Sequence, residues 1–363
     1  MELEEIIIQK IKNIGAISFH DFMEMALYYP GKGYYTSGKS RIGKSGDYYT
    51  SPALTSLFGQ MIGSQVEEMF FMMGSEPISI VEYGAGSGAL CLDILIYLQR
   101  NELLFQHLKY YIIEKNDLKH REEKNALYEK VEFIDNISEI TGFTGCVLSN
   151  ELVDNFPVNV VVMKDELMEV FVDYKDSFVE VLLPAKEELK DYLKWQNIEL
   201  PNDYRTEINL ESKEWIRQIA LSLRKGFVIT IDYGFPGEEL YSSKRNTGSM
   251  VCYHNHTVTD MPYHNIGGQD ITTHVNFSAI NLWGKELGLD FTGFCNQNLF
   301  LRAMGLANHL RKIEHEMLAQ NKEAVFLQVN KLLMEMSNQF KILIQHKGVK
   351  VNGLRGMQFS QSL

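Results

Sequence analysis

Three alternating glycines with an acid just before them form the segment of this chain best suited to bind a charged ligand. Gly84, Gly86 and Gly88 follow a short, mainly apolar run that ends at Glu82. Glycines at this spacing let the backbone turn sharply after a strand and bring its N–H groups close to a ligand. The apolar, helix-like stretch at 89–98 follows at once, and a helix N-terminus favours negative charge. We therefore predict the nucleotide-binding turn of an α/β domain.

The glycine turn fits two classes of nucleotide ligand. Residues 84–89 satisfy the looser dinucleotide pattern G-x-G-x-x-A, and such a turn is equally typical of S-adenosylmethionine (SAM) binding. Glu114 ends the next predicted strand, where its carboxylate can accept both ribose hydroxyls in either class. Glu82 favours SAM, because dinucleotide folds usually have an apolar residue at this position and methyltransferases usually have an acid. A glycine-rich turn that binds nothing is the remaining alternative.

A second group of polar side chains follows the apolar segment at 145–149. Asn150, Glu151 and Asp154 come directly after it. Polar groups at the carboxyl end of the fourth strand of a doubly wound sheet lie beside the ligand crevice. In a methyltransferase that position faces the methyl group, so Glu151 and Asp154 are candidates to bind a cationic acceptor or take its proton. The alternative is a capped turn in which Asp154 serves only the backbone.

The elements that position these residues are predicted from apolar periodicity. Helical spacing marks residues 2–14, 18–28 and 53–73, with Ser18 and Asp21 as a capping box. Strands then alternate with helices: strands near 78–83, 109–114, 131–134, 145–149 and 226–232, and helices near 88–100, 118–128 and 211–224. This alternation predicts an α/β fold with a doubly wound, mostly parallel sheet covered on both faces.

The composition excludes several classes of protein. A hydrophobic fraction of 45% and a charged fraction of 23% are ordinary for a globular protein. The net charge of −12 argues against a general nucleic-acid binder. No apolar run is long enough to span a membrane, and residues 1–5 are acidic where a targeting peptide would be basic, so we expect a cytoplasmic protein. A solvated tail is predicted for the late positive charges, Lys341, Lys347, Lys350 and Arg355.

The cysteines and histidines do not indicate a metal site. The cysteines are far apart without a C-x-x-C pair, which predicts reduced, buried thiols at Cys91, Cys146, Cys252 and Cys295. Imidazoles are good zinc ligands, but no standard spacing relates His254, His256, His264 and His274. We predict no metal and instead a loop over the site, in which His254 or His274 touches the acceptor.

Five motifs occur in order between about residue 15 and residue 306. They are Gly46-Asp-Tyr-Tyr-Thr-Ser-Pro52, Val81-Glu-Tyr-Gly-Ala-Gly-Ser-Gly88, Ser149-Asn-Glu-Leu-Val-Asp-Asn-Phe-Pro157, Asp232-Tyr-Gly234 and Asp270-Ile-Thr-Thr-His-Val-Asn-Phe277. This order resembles the MidA family of SAM-dependent methyltransferases. The resemblance implies a class I, Rossmann-like methyltransferase fold with an N-terminal helical extension, an inserted β meander and C-terminal helices. Because the family's characterised mitochondrial member methylates arginine in a protein, it also implies a protein substrate and an arginine acceptor.

The resemblance also implies roles for particular residues. The glycines would hold the methionine portion of SAM, Glu114 the ribose, and Asp135 and Asn136 would lie near the adenine. Asn150 and Glu151 would flank the methyl group, and residues 46–52 would fold over the cofactor as a lid. The residues expected to bind SAM are therefore Glu82, Gly84, Gly86, Gly88, Glu114, Asp135, Asn136, Asn150, Thr50 and Ser51, with Asp47 also in the lid.

Departures from the family pattern leave alternatives open. Tyr83, Ala85 and Ser87 stand where the family usually has leucine, proline and arginine. A non-catalytic assembly or partner-binding protein of methyltransferase fold is therefore the second hypothesis. A nicotinamide-dependent dehydrogenase is the third, which Glu82 and the polar group at 150–154 disfavour.

We expect three segments along the chain. Residues 1–75 would form a helical segment with the cofactor-covering loop, and residues 76–305 the methyltransferase core. Within the core, residues 158–200 would add the β meander. Residues 306–363 would form a C-terminal helical segment. The oligomeric state is not predicted.

Overall fold

The computed structural model describes residues 1–38, 47, 50–115, 129–316, 327 and 339–363. Its helices, numbered in chain order, are α1 Leu3–Ile14, α2 Phe19–Tyr28, α3 Ser51–Leu54, α4 Ser56–Met72, α5 Ala89–Leu98, α6 Glu102–His107, α7 Glu187–Trp195, α8 Glu211–Ser222, α9 Gly237–Leu240, α10 Phe277–Glu286, α11 Gln297–Ala303 and α12 Leu306–Glu316. Its strands are β1 Ile17–Ser18, β2 Ser79–Tyr83, β3 Lys109–Ile113, β4 Val131–Ile134, β5 Phe143–Asn150, β6 Asn159–Met163, β7 Leu167–Tyr174, β8 Phe178–Pro184, β9 Arg205–Ile208, β10 Leu223–Phe235, β11 Val251–His254, β12 Thr257–Thr259, β13 Asp270–Thr272, β14 Val275–Asn276, β15 Asp290–Asn296 and β16 Phe340–Lys347.

A mixed, mostly parallel sheet forms the centre of the fold. Its strand order is β15-β16-β10-β5-β2-β3-β4, and the short β14 also pairs with β10. Strands β4, β3, β2, β5 and β10 are mutually parallel, whereas β16 is antiparallel to both of its neighbours. This arrangement confirms the predicted doubly wound, Rossmann-like α/β class.

The strand order reverses direction at β2. From β2 the chain continues to β3 and β4 on one side, and it then returns to β5 on the other side of β2. In open α/β sheets the ligand crevice lies at the carboxyl ends of the strands where the order reverses. The turns after β2 and β5 therefore meet at the position that binds ligands in such folds.

Helices cover both faces of the central sheet. The face that includes Ile80, Leu148 and Ile229 packs against α4 and α5. The opposite face, which includes Val81 and Val147, packs against α8 and α10. Each fully buried leucine, isoleucine or phenylalanine in these layers stabilises the fold by about 1.5–3 kcal/mol, so the rigid part of the molecule lies directly beneath the crevice.

A second sheet lies outside the central one. Its strand order is β1-β7-β6-β9, with β8 paired to β7, and helices α1 and α2 pack against it through residues such as Phe22 and Val170. Strands β6, β7 and β8 are the predicted meander. The later part of 158–200 is instead α7, because Leu189, Tyr192 and Leu193 recur at helical spacing and are all buried.

The prediction of a C-terminal helical segment is wrong for residues 340–347. These residues form β16 inside the central sheet, where Phe340 and Ile342 are fully buried. Periodicity cannot distinguish a short apolar strand buried on both faces from a buried helix. Lys341 is only 8% exposed, so it does not belong to a solvated tail.

Several other predictions can be compared with the structure. The predicted strands of the core correspond to β2, β3, β4, β5 and β10, whereas the predicted helix at 118–128 lies outside the described residues. Ser18 Oγ accepts a hydrogen bond from the Asp21 backbone N–H, as expected for a helix cap.

The four cysteines are free and buried, which confirms the prediction of reduced, buried thiols. No helix in the described part of the chain is long and apolar enough to cross a membrane.

Candidate active site

The glycine turn after β2 has a backbone that only glycine adopts readily. Gly84, Gly86 and Gly88 have φ angles of 67°, 55° and 77°, in the left-handed region that side chains disfavour. A Cβ atom added at Gly84 would lie 2.9 Å from Leu152 Cδ1 in the turn after β5. The two turns are therefore in van der Waals contact across the crevice.

The glycine turn offers groups for both an anion and a sugar. The Gly86 N–H donates to Glu114 Oε2 at 3.0 Å, and Gly88 is the N-cap of α5. Backbone N–H groups at the N-terminus of a helix stabilise negative charge, and the Glu114 carboxylate can accept hydroxyl groups. The structure thus brings Glu114 to the glycine turn, as the sequence predicted.

Glu82 lies beneath the turn. It is only 2% exposed, and its Oε2 accepts a hydrogen bond from Tyr110 Oη at 2.7 Å. Burial raises the pKa of Glu82 to about 7. Glu82 therefore contacts the adjoining strand β3 rather than open solvent.

Asp135 and Asn136 follow β4 at the carboxyl edge of the sheet, and both are exposed. Asn136 Oδ1 accepts the Ser138 N–H at 2.9 Å. Glu139 Oε1 in return accepts the N–H groups of Asp135 and Asn136, at 2.8 and 2.9 Å. This capping box starts the short 3₁₀ helix Ile137–Ile140, so the Asn136 side chain already has a structural partner. Their placement near adenine stays a prediction.

Glu151 begins the turn after β5 in an unusual backbone conformation. Its φ of 53° is in the left-handed region, and its N–H donates to the Ile231 carbonyl of β10 at 2.9 Å. Its Oε1 accepts Asn150 Nδ2 at 3.0 Å and the Ser51 N–H at 3.1 Å. Burial, reinforced by the negative charges of Asp232 and Asp270, outweighs these hydrogen bonds and raises the pKa of Glu151 to about 8.

Asp154 lies deeper in the same turn. It is 4% exposed, and its Oδ1 has no hydrogen-bond partner among the described residues. Burial, followed by the charges of Asp232, Asp270 and Glu151, raises the pKa of Asp154 well above its ordinary value. A buried carboxylate oxygen without a partner is costly, so it is well suited to receive a donor from a ligand.

Asp232, at the end of β10, caps the turn that carries these acids. Its Oδ2 accepts three successive N–H groups, those of Leu152 at 3.1 Å, Val153 at 2.8 Å and Asp154 at 3.4 Å. It is fully buried, and burial raises its pKa to about 7. The residue that caps the turn is therefore Asp232, and sequence reasoning did not predict this role. The available signal was an acid at the end of a predicted strand.

Two tyrosines that sequence reasoning did not assign border the acidic turn. Tyr28 Oη donates to Asn155 Oδ1 at 2.6 Å, and Tyr35 Oη donates to both carboxylate oxygens of Asp270 at 2.9 and 2.8 Å. Their rings stack with centroids 5.5 Å apart, and Lys115 Nζ lies 4.2 Å from the Tyr28 centroid. Aromatic faces beside carboxylates form a surface that attracts cations. The signal was the glycine- and tyrosine-rich stretch at 28–35.

The described part of the predicted lid lies against the acidic turn. Ser51 is fully buried, and besides its contact with Glu151 its Oγ accepts Gln297 Nε2 at 3.2 Å. Thr50 is the N-cap residue of α3. Asp47 accepts Tyr34 Oη at 2.8 Å. The remaining motif residues, Gly46, Tyr48 and Tyr49, lie outside the described residues.

His254 and His274, which the sequence analysis singled out, contact different parts of the protein. The ring of His254 contacts the Gly268 carbonyl through Nδ1 at 2.9 Å. His274 packs edge-on against Phe235, with ring centroids 5.1 Å apart. Within the described residues, the group able to offer three metal-ligand atoms together is a different one: His20, Asp21 and Glu24. Contact of His254 or His274 with an acceptor stays a prediction.

A comparison with known families identifies the family of this chain. Residues 61–295, more than half of the chain, match a family described as S-adenosyl-L-methionine-dependent methyltransferase. The chain belongs to this methyltransferase family. It is therefore an enzyme that uses SAM, as the acid before the glycine turn predicted, and the resemblance to MidA proteins is confirmed.

Named relatives of this methyltransferase cover most of its length. A protein of Drosophila melanogaster is 25% identical over 94% of this chain and 84% of its own. A human protein is 26% identical over 83% of this chain and 73% of its own. Both are named as mitochondrial protein arginine methyltransferases, NDUFAF7 or its homologue.

A solved structure matches this methyltransferase over nearly its whole length. It comes from Burkholderia thailandensis and contains bound S-adenosyl-homocysteine. Its TM-score is 0.89 at 29% identity, over 99% of this chain and 95% of the other. S-adenosyl-homocysteine is SAM without its transferred methyl group, which agrees with SAM as the cofactor of this family.

The prediction of a cytoplasmic location is wrong, because the curated relatives are named as mitochondrial. The prediction depended on the acidic residues at the start of the sequence. Those acids lie at the start of helix α1, where Glu2 and Glu5 form its capping box and Glu4 lies in its first turn. Acidic side chains there stabilise the helix dipole, so they carry no information about the compartment.

Proposed function

We propose that this methyltransferase methylates the guanidinium group of an arginine in a protein. The observation that carries the proposal is the acidic turn after β5. It holds Glu151 and Asp154, and Asp154 Oδ1 has no hydrogen-bond partner among the residues that the structure describes. The names of the relatives as protein arginine methyltransferases support the same substrate class.

The residues around the glycine turn suit SAM. We assign the methionine portion to Gly84, Gly86 and Gly88, because glycines without a Cβ atom let the ligand approach the backbone closely and the N-terminus of α5 favours a carboxylate. Glu114 would hold the ribose hydroxyls in place of the Gly86 N–H that it now accepts.

Other residues would complete this cofactor site. Asp135 and Asn136 would border the adenine, Glu82 would support the turn from below, and Thr50 and Ser51 would cover the site. When bound, SAM supplies a methyl carbon that its sulfonium has already made electrophilic.

Glu151 and Asp154 would orient the acceptor. A guanidinium is a planar fork of N–H donors that two carboxylates can hold in a defined plane. Burial disfavours the ionised form of both acids and raises their pKa values. A bound cation would offset this cost of ionisation. One acceptor nitrogen would form the new N–C bond as the sulfur of SAM leaves with the electrons of its bond to the methyl carbon. The proton released from that nitrogen would pass to a base, for which Glu151 is the candidate.

Asn150 and Ser51 would act on Glu151 rather than on the acceptor. Asn150 Nδ2 and the Ser51 N–H both donate to the same oxygen, Oε1. The other carboxylate oxygen is thereby directed away from them. Positioning of this kind is the main contribution that a protein can make to a displacement at an activated carbon.

The test is methylation of defined peptides. The purified protein is incubated with isotope-labelled SAM and a peptide that contains one arginine, or the same peptide with lysine in its place. Mass spectrometry then locates the label, which we expect on arginine alone. Label on lysine or on a backbone amine, with none on arginine, would contradict the proposed acceptor.

The variant Glu151→Gln tests the role of the acid. Glutamine preserves the Oε1 acceptor for Ser51 and Asn150, so SAM affinity measured by calorimetry should stay near wild type. We expect kcat to fall by about 10²-fold or more, because the charge that holds the acceptor is lost. Glu166→Gln, at an exposed turn, is the matched control. Lost SAM affinity with normal turnover at saturation would refute the assignment.

A further inference from the structure

Three basic side chains converge on one aromatic ring at the end of β10. Arg245 Cζ lies 3.8 Å from the centroid of the Phe235 ring, and Lys341 Nζ lies 5.4 Å from it. The His274 ring packs against the same ring with centroids 5.1 Å apart and planes at 70°. We call Arg245, Lys341 and His274, together with Phe235, the basic cluster.

The basic cluster adjoins the acidic turn on two sides. His274 follows Thr273, whose N–H donates to the Asp154 carbonyl at 2.8 Å. Lys341 of β16 lies directly opposite Asp232 of β10 in the strand register. Thr273 and the pairing of β10 with β16 thus connect the basic cluster to the turn that carries Asp154 and to Asp232, which caps that turn.

The basic cluster has a positive electrostatic character. Arg245 forms an ion pair with Glu239, whose Oε1 lies 3.9 Å from Arg245 Nη2 and whose side chain is 57% exposed. Pairs this exposed contribute little. Burial, and then the charges of Arg245 and Lys341, lower the pKa of His274 to about 4, so its ring is neutral at pH 7. Arg245 and Lys341 are therefore the charged members of the basic cluster.

The basic cluster also has groups able to bind a ligand. Arg245 has a side chain that is 26% exposed, so its guanidinium can reach a partner from solvent. Lys341 Nζ donates to Asn296 Oδ1 at 2.7 Å, which fixes the ammonium in place. His274 Nδ1 is buried without a hydrogen-bond partner in the described part of the chain. A carboxylate accepts several hydrogen bonds at once, so it could accept from Arg245, from Lys341 and from the His274 ring in the tautomer that is protonated at Nδ1.

We propose that Arg245, Lys341 and His274 form an anion-binding subsite that takes an aspartate or glutamate side chain close to the methylated arginine of the substrate. The acidic turn would hold the cation and the basic cluster the anion, so the preferred segment carries both charges within a few residues. This inference rests on the proposed arginine acceptor for its role in the reaction. The binding of a carboxylate can be tested without it.

The binding test uses a defined small probe. N-acetyl-glutamate methylamide is titrated into the full-length protein, and the imidazole signals of His274 are followed by NMR, with His274→Gln used to assign them. We expect a saturable shift, and the neutral N-acetyl-glutamine methylamide should produce none. In Arg245→Gln the affinity should fall about tenfold, because a charge-assisted bidentate contact is lost. Arg217→Gln, an exposed arginine on α8, is the matched control.

The outcomes of the binding test are distinct. No shift with the glutamate probe would overturn the subsite. A shift reproduced by sodium chloride at equal ionic strength would mean an adventitious anion only, and would also overturn it. Retained affinity in both Arg245→Gln and Lys341→Met would show that the probe binds elsewhere.

The specificity test uses pairs of arginine peptides that carry glutamate or glutamine at one neighbouring position. We expect a KM about tenfold lower for the glutamate peptide of the best pair, with similar kcat, and a ratio near one in Arg245→Gln. Equal KM values for all pairs would overturn the role in specificity. If the NMR shift occurs but no arginine peptide is methylated, the proposed acceptor fails and the anion site stands.

Discussion

At the scale of single residues, Glu151 has both a strained backbone conformation and a raised pKa. Its left-handed φ aims the side chain at Ser51 and Asn150, which bind one carboxylate oxygen. Burial raises its pKa to about 8. Strain of this kind costs of order 1–3 kcal/mol and is often found at functional sites.

This ionisation predicts a pH dependence of the reaction. Below about pH 8 the ligand-free enzyme holds Glu151 mainly as the neutral acid, which binds a guanidinium poorly. The value of kcat/KM for the acceptor should therefore rise with pH and level off above about 8. Initial rates at limiting acceptor measure it. The apparent pKa belongs to the coupled group of Glu151, Asp154 and Asp232.

In Glu151→Gln, kcat/KM for the acceptor should no longer show the rise with pH that is due to ionisation of Glu151. A wild-type kcat/KM that stays constant between about pH 6 and pH 9 would contradict a role for the ionised Glu151 carboxylate.

Asp232 acts on the same turn through the backbone. Replacing it with asparagine removes the negative charge that three N–H groups share. We expect the free energy of unfolding to fall by about 1–3 kcal/mol and the KM for the acceptor to rise. Asparagine keeps only one acceptor oxygen, whereas Asp232 uses one oxygen for the turn and the other for the Tyr233 N–H. Urea unfolding and steady-state kinetics measure both effects. Asp165→Asn, at an exposed turn, should change neither the free energy of unfolding nor KM. Wild-type values of both in Asp232→Asn would argue against this cap.

At the scale of elements, the contact between the turns after β2 and β5 defines the crevice. Alanine at Gly84 would meet both a φ of 67° and Leu152 Cδ1 at 2.9 Å. We expect Gly84→Ala to lower the free energy of unfolding by about 1–3 kcal/mol and to weaken SAM binding, as measured by urea unfolding and calorimetry.

Gly31 offers the matched control for this prediction. Its φ is 69°, but a Cβ atom there would meet nothing within 4 Å. Gly31→Ala should therefore show the backbone cost alone and leave SAM affinity unaltered. The double variant Gly84→Ala/Leu152→Ala should relieve the contact but not the backbone strain. Equal effects of the two glycine variants would show that the contact between the turns is unimportant.

At the scale of the whole molecule, acids near the crevice whose pKa values are raised link stability to pH. Burial raises the pKa values of Glu82 and Asp232 to about 7 and that of Glu151 to about 8. The folded protein thus holds these protons more tightly than the unfolded chain does. The stability this provides is fully present below the ordinary carboxyl pKa and is lost as pH rises through the folded values.

The free energy of unfolding of the ligand-free protein should therefore decrease between about pH 5 and pH 8. Glu82→Gln should show a smaller decrease, because one of the linked protons is removed. Urea unfolding at the two pH values measures the difference. Stability that rises over this interval would indicate that other groups dominate.

Local signals in the sequence determined much of this protein. The apolar runs before Gly84 and Asn150, the glycine spacing and the acid at Glu82 depend only on near neighbours along the chain. They sufficed to predict the parallel strands of the core and the turn after β2, because turn chemistry and burial patterns act over a few residues. They favoured SAM over a dinucleotide, and the order of the five motifs added the resemblance to a methyltransferase family.

Contacts between distant segments were decided only by the tertiary structure. Asp232 of β10 caps the turn after β5 that carries Asp154, and Tyr35 contacts Asp270, which is 235 residues further along the chain. The strand at 340–347 lies between β15 and β10 in the sheet, although its apolar run alone suits a buried helix equally well. Long-range pairing and the burial of charge depend on which surfaces meet in space, and periodicity along the chain carries no information about that.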